Sequence, residues 1–281
     1  NQVMVCAQSN MAVDWISEKL VDRGVPVLRI GNPTRVHDKM LSFTYERQFE
    51  SHPDYPQLWS LRKAIRELRH HRKRGDRSFH DKLDRLRSRA TEIEMSINQQ
   101  LFGEARVIAS TLVGSANRIL EGQKYATLFI DEAAQALEAA CWIPIRRATR
   151  VVFAGDHCQL PPTVKSYEAL REGLGVTLME RIVRQKPDAV TLLTTQYRMN
   201  EDIMRFSSEW FYHGKVESAP DVRHRSVLDY DIPMLWIDTA DMSCREEFVG
   251  ESYGRINKTE ARLTLAALQL YFDKVGRERI L

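Results

Sequence analysis

Six short apolar runs, at Val3–Cys6, Val27–Ile30, Val107–Ala109, Thr127–Ile130, Val151–Phe153 and Val190–Leu193, constrain this chain more than any other feature. Most are apolar at consecutive positions, as in strands covered on both faces. Between them lie stretches with helical spacing, such as Ala12–Arg23 and Ala133–Cys141. Strands alternating with helices predict an α/β fold built on a parallel sheet with right-handed crossovers. In such sheets ligands gather at the carboxyl ends of the strands, so the residues following each run are the first candidates for function.

One region breaks the alternation. From about Pro56 to Leu101 no strand pattern occurs, while Leu58, Leu61, Ile65 and Leu68 recur at helical spacing, as do Leu83, Leu86, Ala90, Ile93 and Ile97. Gly75, in a polar stretch, separates the two sets, which predicts an antiparallel helical hairpin inserted over about 56–101 with its apolar stripes as the seam. Arg62–Arg89 carries a net charge of +8 against +3 for the whole chain, leaving the remainder at −5. Such a basic block either attracts phosphate backbones or is a solvated helix face. After Thr195 the pattern restarts, with a helix expected at Ile203–Tyr212, a strand at Pro233–Asp238 and an amphipathic helix at Lys258–Phe272. The expected units are therefore 1–195 and 196–281.

No run of apolar residues is long enough to span a bilayer, and no secretory leader opens the chain. Cys6, Cys141, Cys158 and Cys244 are scattered and form no CxxC pair. That points to reduced thiols in a cytosolic protein, or a nuclear one in a eukaryote. Both ends read as cuts inside elements: Asn1 leads straight into a strand, and Arg279-Ile280-Leu281 reads as the start of another.

Three segments carry candidate chemistry. Leu128-Phe129-Ile130 ends in Asp131-Glu132, adjacent carboxylates that leave a strand in different directions. Asp131 could hold a water ligand of Mg²⁺ while Glu132 orients and deprotonates an attacking water, or the pair could simply cap the following helix. Val151–Ala154 runs into Gly155-Asp156-His157-Cys158-Gln159-Leu160-Pro161-Pro162. Gly155 permits a sharp exit, and the neutral amide of Gln159 could meet a γ-phosphate; the plainer alternative is a proline-rich turn. His157-Cys158 has no second ligand pair at a usable spacing for a metal. Third, Arg198 follows the run ending at Leu193, where its guanidinium could neutralise a transferring phosphoryl group or make a structural ion pair.

In this order the segments resemble the helicases of superfamily 1B, in the group of the nonsense-mediated-decay helicase and the immunoglobulin mu-binding-protein-like helicases. The resemblance covers nearly the whole chain. Cys6–Asp14 resembles motif Ia and Ala109–Gly114 motif Ic, Asp131–Ala134 resembles Walker B, Gly155–Pro162 motif III and Gln196–Met199 motif IV. Asn257, Glu260 and Ala261 match a pattern early in the second RecA-like domain.

The resemblance implies a RecA-like, P-loop NTPase type of sheet and the start of a second RecA-like domain, with ATP and Mg²⁺ as cofactors. By matched position, Asp131 would organise Mg²⁺ and Glu132 would be the catalytic base. Gln159 would couple the γ-phosphate to nucleic-acid grip, Arg198 would reach the γ-phosphate from the second domain, and Tyr197 would lie near the adenine. Ser9, Asn10, Thr111 and Gly114 would contact the sugar-phosphate backbone of single-stranded DNA or RNA, since small polar side chains and free N–H groups grip phosphate without reading bases. Ser9 and Asn10 also suit an N-cap. The hairpin resembles a stalk that supports an accessory β-barrel in relatives, and the resemblance further suggests a monomeric motor travelling 5′→3′.

None of the thirteen glycines sits in GxxxxGK[ST], the run whose N–H groups and lysine hold nucleotide phosphates. The resemblance places that loop before Asn1, and motifs V and VI after Leu281, so a truncated motor with negligible turnover of its own is expected. Two rival readings are a nucleic-acid-binding module that hydrolyses nothing and a protein-interaction scaffold docking through the hairpin.

Overall fold

The computed structural model describes residues 2–70, 77–226, 232–242, 244–250 and 254–275. The expected breaker Gly75, the basic run Arg72-Lys73-Arg74 and the terminal Arg279–Leu281 lie outside them. The chain divides into two compact units, Asn1–Val190 and Thr191–Leu281.

In the first unit the strands are β1 (Val3–Ala7), β2 (Val27–Ile30), β3 (Val107–Thr111), β4 (Tyr125–Asp131) and β5 (Ala148–Phe153). They form one wholly parallel sheet in the order β2-β3-β1-β4-β5. Ala7 is in register with Thr111 on one side and Asp131 on the other, so β1, β3 and β4 finish level. Five of the six apolar runs are thus strands. Their residues alternate between two cores as strand geometry requires. Met4 and Cys6 face a large core shared with the hairpin helices, and Val5 and Ala7 face a smaller one closed by α1 (Asn10–Val21) through Val13, Ile16 and Leu20. Cover is incomplete on one side: Phe129 of β4 is 40% exposed, contrary to the expectation of strands buried on both faces.

The inserted hairpin forms as expected. After α2 (Tyr45–Glu50) come α3 (Tyr55–His70) and α4 (Arg77–Glu104). Leu58 and Ile65 of α3 are buried with Leu83, Ala90, Ile93 and Ile97 of α4, which are the residues of the two apolar stripes. On the outside Arg62 pairs with Glu94 across the helices at 2.8 Å. Near the sheet, the Tyr45 hydroxyl donates to Asn98 Oδ1 at 2.8 Å, which fastens α2 to α4.

Three expectations fail. Val190–Leu193 is not a strand, and Leu193 is 83% exposed. The run spans the boundary between the units and has no neighbouring strand among the described residues. A ladder begins only at β6 (Thr195–Gln196), which pairs in parallel with β7 (Glu217–Ser218). Among the described residues Pro233–Asp238 likewise has no ladder partner, with Trp236 87% exposed; apolar β-propensity makes no strand without a partner, and Pro233 brings no N–H. The helix expected over Ala133–Cys141 is broken into a 3₁₀ turn, Ala133–Gln135, and α5 (Glu138–Ile145). The Ala133 N–H donates across the sheet edge to Ala154 O at 2.9 Å, and Ala136 and Leu137 are extended.

The remaining helices of the first unit are α6 (Tyr167–Arg171) and α7 (Leu178–Gln185). The second unit holds α8 (Glu201–Tyr212), α9 (Pro220–Arg223), the antiparallel pair β8 (Glu247–Phe248) and β9 (Arg255–Ile256), and α10 (Lys258–Val275). Asn257, one of the positions matched to the second-domain pattern, caps α10 by accepting from the N–H groups of Thr259 and Glu260. Among the described residues no helix is long and apolar enough to cross a membrane.

All four cysteines are free thiols. Burial pushes Cys6 up to about 12 and Cys141 up to about 11. Since the thiolate is the reactive form, iodoacetamide at about pH 8 should leave both unlabelled until the chain unfolds. Mass spectrometry of the labelled native chain checks this, and rapid native labelling of Cys6 would contradict the packing described.

Candidate functional site

The carboxyl ends of β4 and β5 form two turns packed backbone against backbone. Asp131 is the last residue of β4, half-buried. Glu132 follows with φ 52° and ψ 37°, a left-handed conformation that non-glycine residues seldom adopt. This single residue turns the chain off the strand and leaves the Glu132 side chain exposed, held by a bond from Gln135 Nε2 at 3.2 Å. It caps no helix N–H, so the plain capping alternative is not realised. The Asp131 carboxylate makes no hydrogen bond or ion pair among the described residues. A half-buried oxygen donor of that kind fits a hydrated Mg²⁺, a hard cation.

From β5 the chain leaves through Gly155 at φ 156°. A Cβ on Gly155 would lie 3.0 Å from Ala133 N and 3.1 Å from Ala134 N, so only glycine lets the two turns touch. Asp156 organises the next turn. Its Oδ1 accepts from Cys158 N at 3.1 Å and its Oδ2 from Gln159 Nε2 at 2.8 Å. One hydrogen of the Gln159 amide is thereby occupied, and the exposed side chain keeps its carbonyl and second N–H for another partner. The turn also gathers ligand atoms of Asp156, His157 and Cys158 within 4.8 Å, a third donor that spacing alone did not suggest. Both Asp156 oxygens already serve the turn, which speaks against a metal there.

The ends of β1 and β3 carry the other group. Ser9 Oγ accepts from Ala12 N at 3.1 Å, so Ser9 does cap α1, and a hydroxyl that accepts in this way keeps its own O–H as a donor. Thr111 Oγ1 accepts from Gly114 N at 3.0 Å. The Gly114 N–H is therefore not free, which corrects one element of the expected phosphate grip. What glycine supplies at 114 is room: a Cβ there would lie 2.7 Å from Thr111 Oγ1. Asn10, the first residue of α1, is half-buried, with its Oδ1 facing the Arg29 guanidinium at 2.9 Å.

Arg29 is the residue that reading the motifs missed. It is fully buried on β2 and paired through Nε with Asp14 of α1 at 2.7 Å. The signal was present: a charge inside an apolar run read as doubly covered demands a buried partner.

In the second unit, Gln196 builds the loop that presents Tyr197 and Arg198. Its Oε1 accepts from Arg198 N at 2.7 Å and Met199 N at 2.8 Å, and its Nε2 donates to Met199 O at 2.7 Å and Ser218 Oγ at 2.5 Å. Tyr197 is 70% exposed, and Arg198, also exposed, makes no ion pair among the described residues. The structural ion-pair alternative for Arg198 is thus not realised within them. Asp131, Glu132, Gln159, Ser9, Asn10, Thr111 and Gly114 all lie at one edge of one sheet, whereas Tyr197 and Arg198 belong to the other unit.

Two family models match the chain, both described as an AAA domain, over residues 1–167 and 174–280. The DNA-binding protein SMUBP-2 of Mesocricetus auratus is 32% identical over 97% of this chain and 29% of its own length. An uncharacterized ATP-dependent helicase of Methanocaldococcus jannaschii is 31% identical over 82% of this chain and 40% of its own. A homolog of regulator of nonsense transcripts 1 from Drosophila melanogaster is 32% identical over 92% of this chain and 21% of its own. The chain thus spans well under half the length of these curated relatives.

Proposed function

Because the chain belongs to the AAA-domain helicases of superfamily 1B, we propose that it forms part of an ATP-driven motor moving along single-stranded DNA or RNA. One observation carries this reading. Two groups of side chains with different chemistry lie at the carboxyl ends of neighbouring parallel strands: Ser9, Asn10 and Thr111 at β1 and β3, and Asp131, Glu132 and Gln159 at β4 and β5. A shift at one group is transmitted to the other through a rigid sheet edge. Residues 196–281 are the opening part of a second RecA-like domain in this reading, which contributes Tyr197 and Arg198.

ATP with Mg²⁺, when bound, supplies the phosphoryl group to be transferred. Asp131 would hold the cation through water. Glu132, held off the strand by its left-handed backbone, orients a water and takes its proton. Gln159 senses the terminal phosphate with its free amide groups, while Asp156 fixes the side chain. Arg198, on a loop set by Gln196, neutralises developing charge. Ser9, Asn10 and Thr111 grip the strand's phosphates. The 281 residues contain no GxxxxGK[ST], so hydrolysis needs a phosphate-binding loop from polypeptide outside them. We place the motor in the cytoplasm or nucleus, acting as a monomer.

Binding tests the nucleic-acid half. Labelled single strands of unrelated sequence should bind this chain equally, with log K falling against log salt by roughly 0.7 per phosphate contacted. No binding at low salt, or binding to one sequence alone, would count against the reading.

A further inference from the structure

We infer that Arg29 is a positioning residue that fixes the orientation of the Asn10 amide so that its N–H₂ group faces the nucleic-acid strand. The inference rests on the strand-gripping role proposed for Asn10 and goes beyond it.

All three guanidinium nitrogens of Arg29 are engaged although the residue is fully buried. Nε donates to Asp14 Oδ1 at 2.7 Å, Nη1 to Ile30 O at 2.5 Å and Nη2 to Asn10 Oδ1 at 2.9 Å. The fork cannot swing away. A Cβ at Gly31 would sit 2.8 Å from Nη1, so the backbone there lies close against it. The other oxygen of Asp14 accepts from His37 N at 2.9 Å, which fixes the acceptor too. Guanidinium only donates, so the atom of Asn10 that faces it must be the carbonyl oxygen. The amide nitrogen, on the other arm of the planar group, has no hydrogen-bond partner among the described residues and is not a buried unpaired atom, so it is the part of this half-buried residue left for a ligand beside exposed Ser9. An unpinned asparagine could flip and present its oxygen, which repels phosphate. Arg29 removes that option, so the strand meets a pre-oriented pair of N–H donors. Lysine could keep the charge pair with Asp14 but could not span Asp14, Ile30 O and Asn10 together.

The test is a double-mutant cycle on the 281-residue chain, reading affinity for a labelled single strand against salt, with thermal unfolding in parallel. Asn10→Ala and Arg29→Lys should each weaken binding about tenfold and lower the salt slope by roughly 0.7, the contribution of one phosphate contact. In the Asn10→Ala background, Arg29→Lys should cost nothing further in affinity. Asn10→Asp supplies a variant whose fold is safe, because the new carboxylate still pairs with Arg29. It should melt no lower than the parent yet bind more weakly than Asn10→Ala, since an anion now faces the strand. Additive losses in the cycle, an unchanged salt slope for folded Arg29→Lys, or wild-type binding by Asn10→Asp would overturn the assignment while leaving the motor reading intact. A parent chain that binds no single strand would overturn both.

Discussion

Replacing Glu132 with glutamine is expected to lower nucleic-acid-stimulated ATP turnover by roughly 10²–10⁴-fold, the usual contribution of a positioned general base. The assay needs these residues in one polypeptide with a phosphate-binding loop. The substitution is nearly isosteric, and a glutamine carbonyl can accept the bond from Gln135 Nε2 as the Glu132 carboxylate does. The backbone at φ 52° is equally strained for either residue. Folding should therefore be unaffected, and so should single-strand binding, which this account assigns to β1 and β3 and not to β4. Loss of turnover with retained binding is the pattern to look for. Turnover that survives would mean that Glu132 turns outward for some other reason, and its left-handed backbone would be left without a functional account.

The second large effect concerns stability. Arg29→Leu should destabilise the first unit by about 3–5 kcal/mol, because it strands the Asp14 carboxylate in the interior with one oxygen unpaired. Asp14 and Arg29 have side-chain exposures of only 6% and 0%, so water cannot compensate. The double replacement Arg29→Leu with Asp14→Leu should recover much of the loss, since removing both charges removes the uncompensated one. Urea denaturation of the parent and the two variants measures the loss and its recovery. A small loss for Arg29→Leu alone would show that the pair is not isolated from solvent, and would weaken the positioning argument that depends on it.

Much of this architecture was legible in the residues. The runs at Val3–Cys6 and Val107–Ala109 named their strands because a doubly covered parallel strand must be apolar throughout. The hairpin was legible because Leu58, Ile65, Ala90 and Ile97 repeat at helical spacing and can be buried only against one another and the sheet base. What failed were elements defined by partners. Val190–Leu193 and Pro233–Asp238 have strand-like composition, but a strand exists only where another chain segment offers a ladder, and composition does not report that.

In the site, residue identities were readable and their hydrogen bonds were not. That Glu132 takes a left-handed turn, that Thr111 consumes the Gly114 N–H, and that Gln196 and not Arg198 organises its loop all follow from backbone geometry. Arg29 lies between these cases, since its sequence context demanded a partner without naming Asp14 or Asn10.

The motor reading is tested most sharply by a crystal structure of these residues joined to a phosphate-binding loop, with a non-hydrolysable ATP analogue, Mg²⁺ and a short single strand. The terminal phosphate is expected within one hydrogen bond, direct or through one water, of Glu132, Gln159 and Arg198, with strand phosphates against Ser9, Asn10 and Thr111. A nucleotide bound away from the ends of β4 and β5, or a strand lying along the hairpin instead of the ends of β1 and β3, would contradict it.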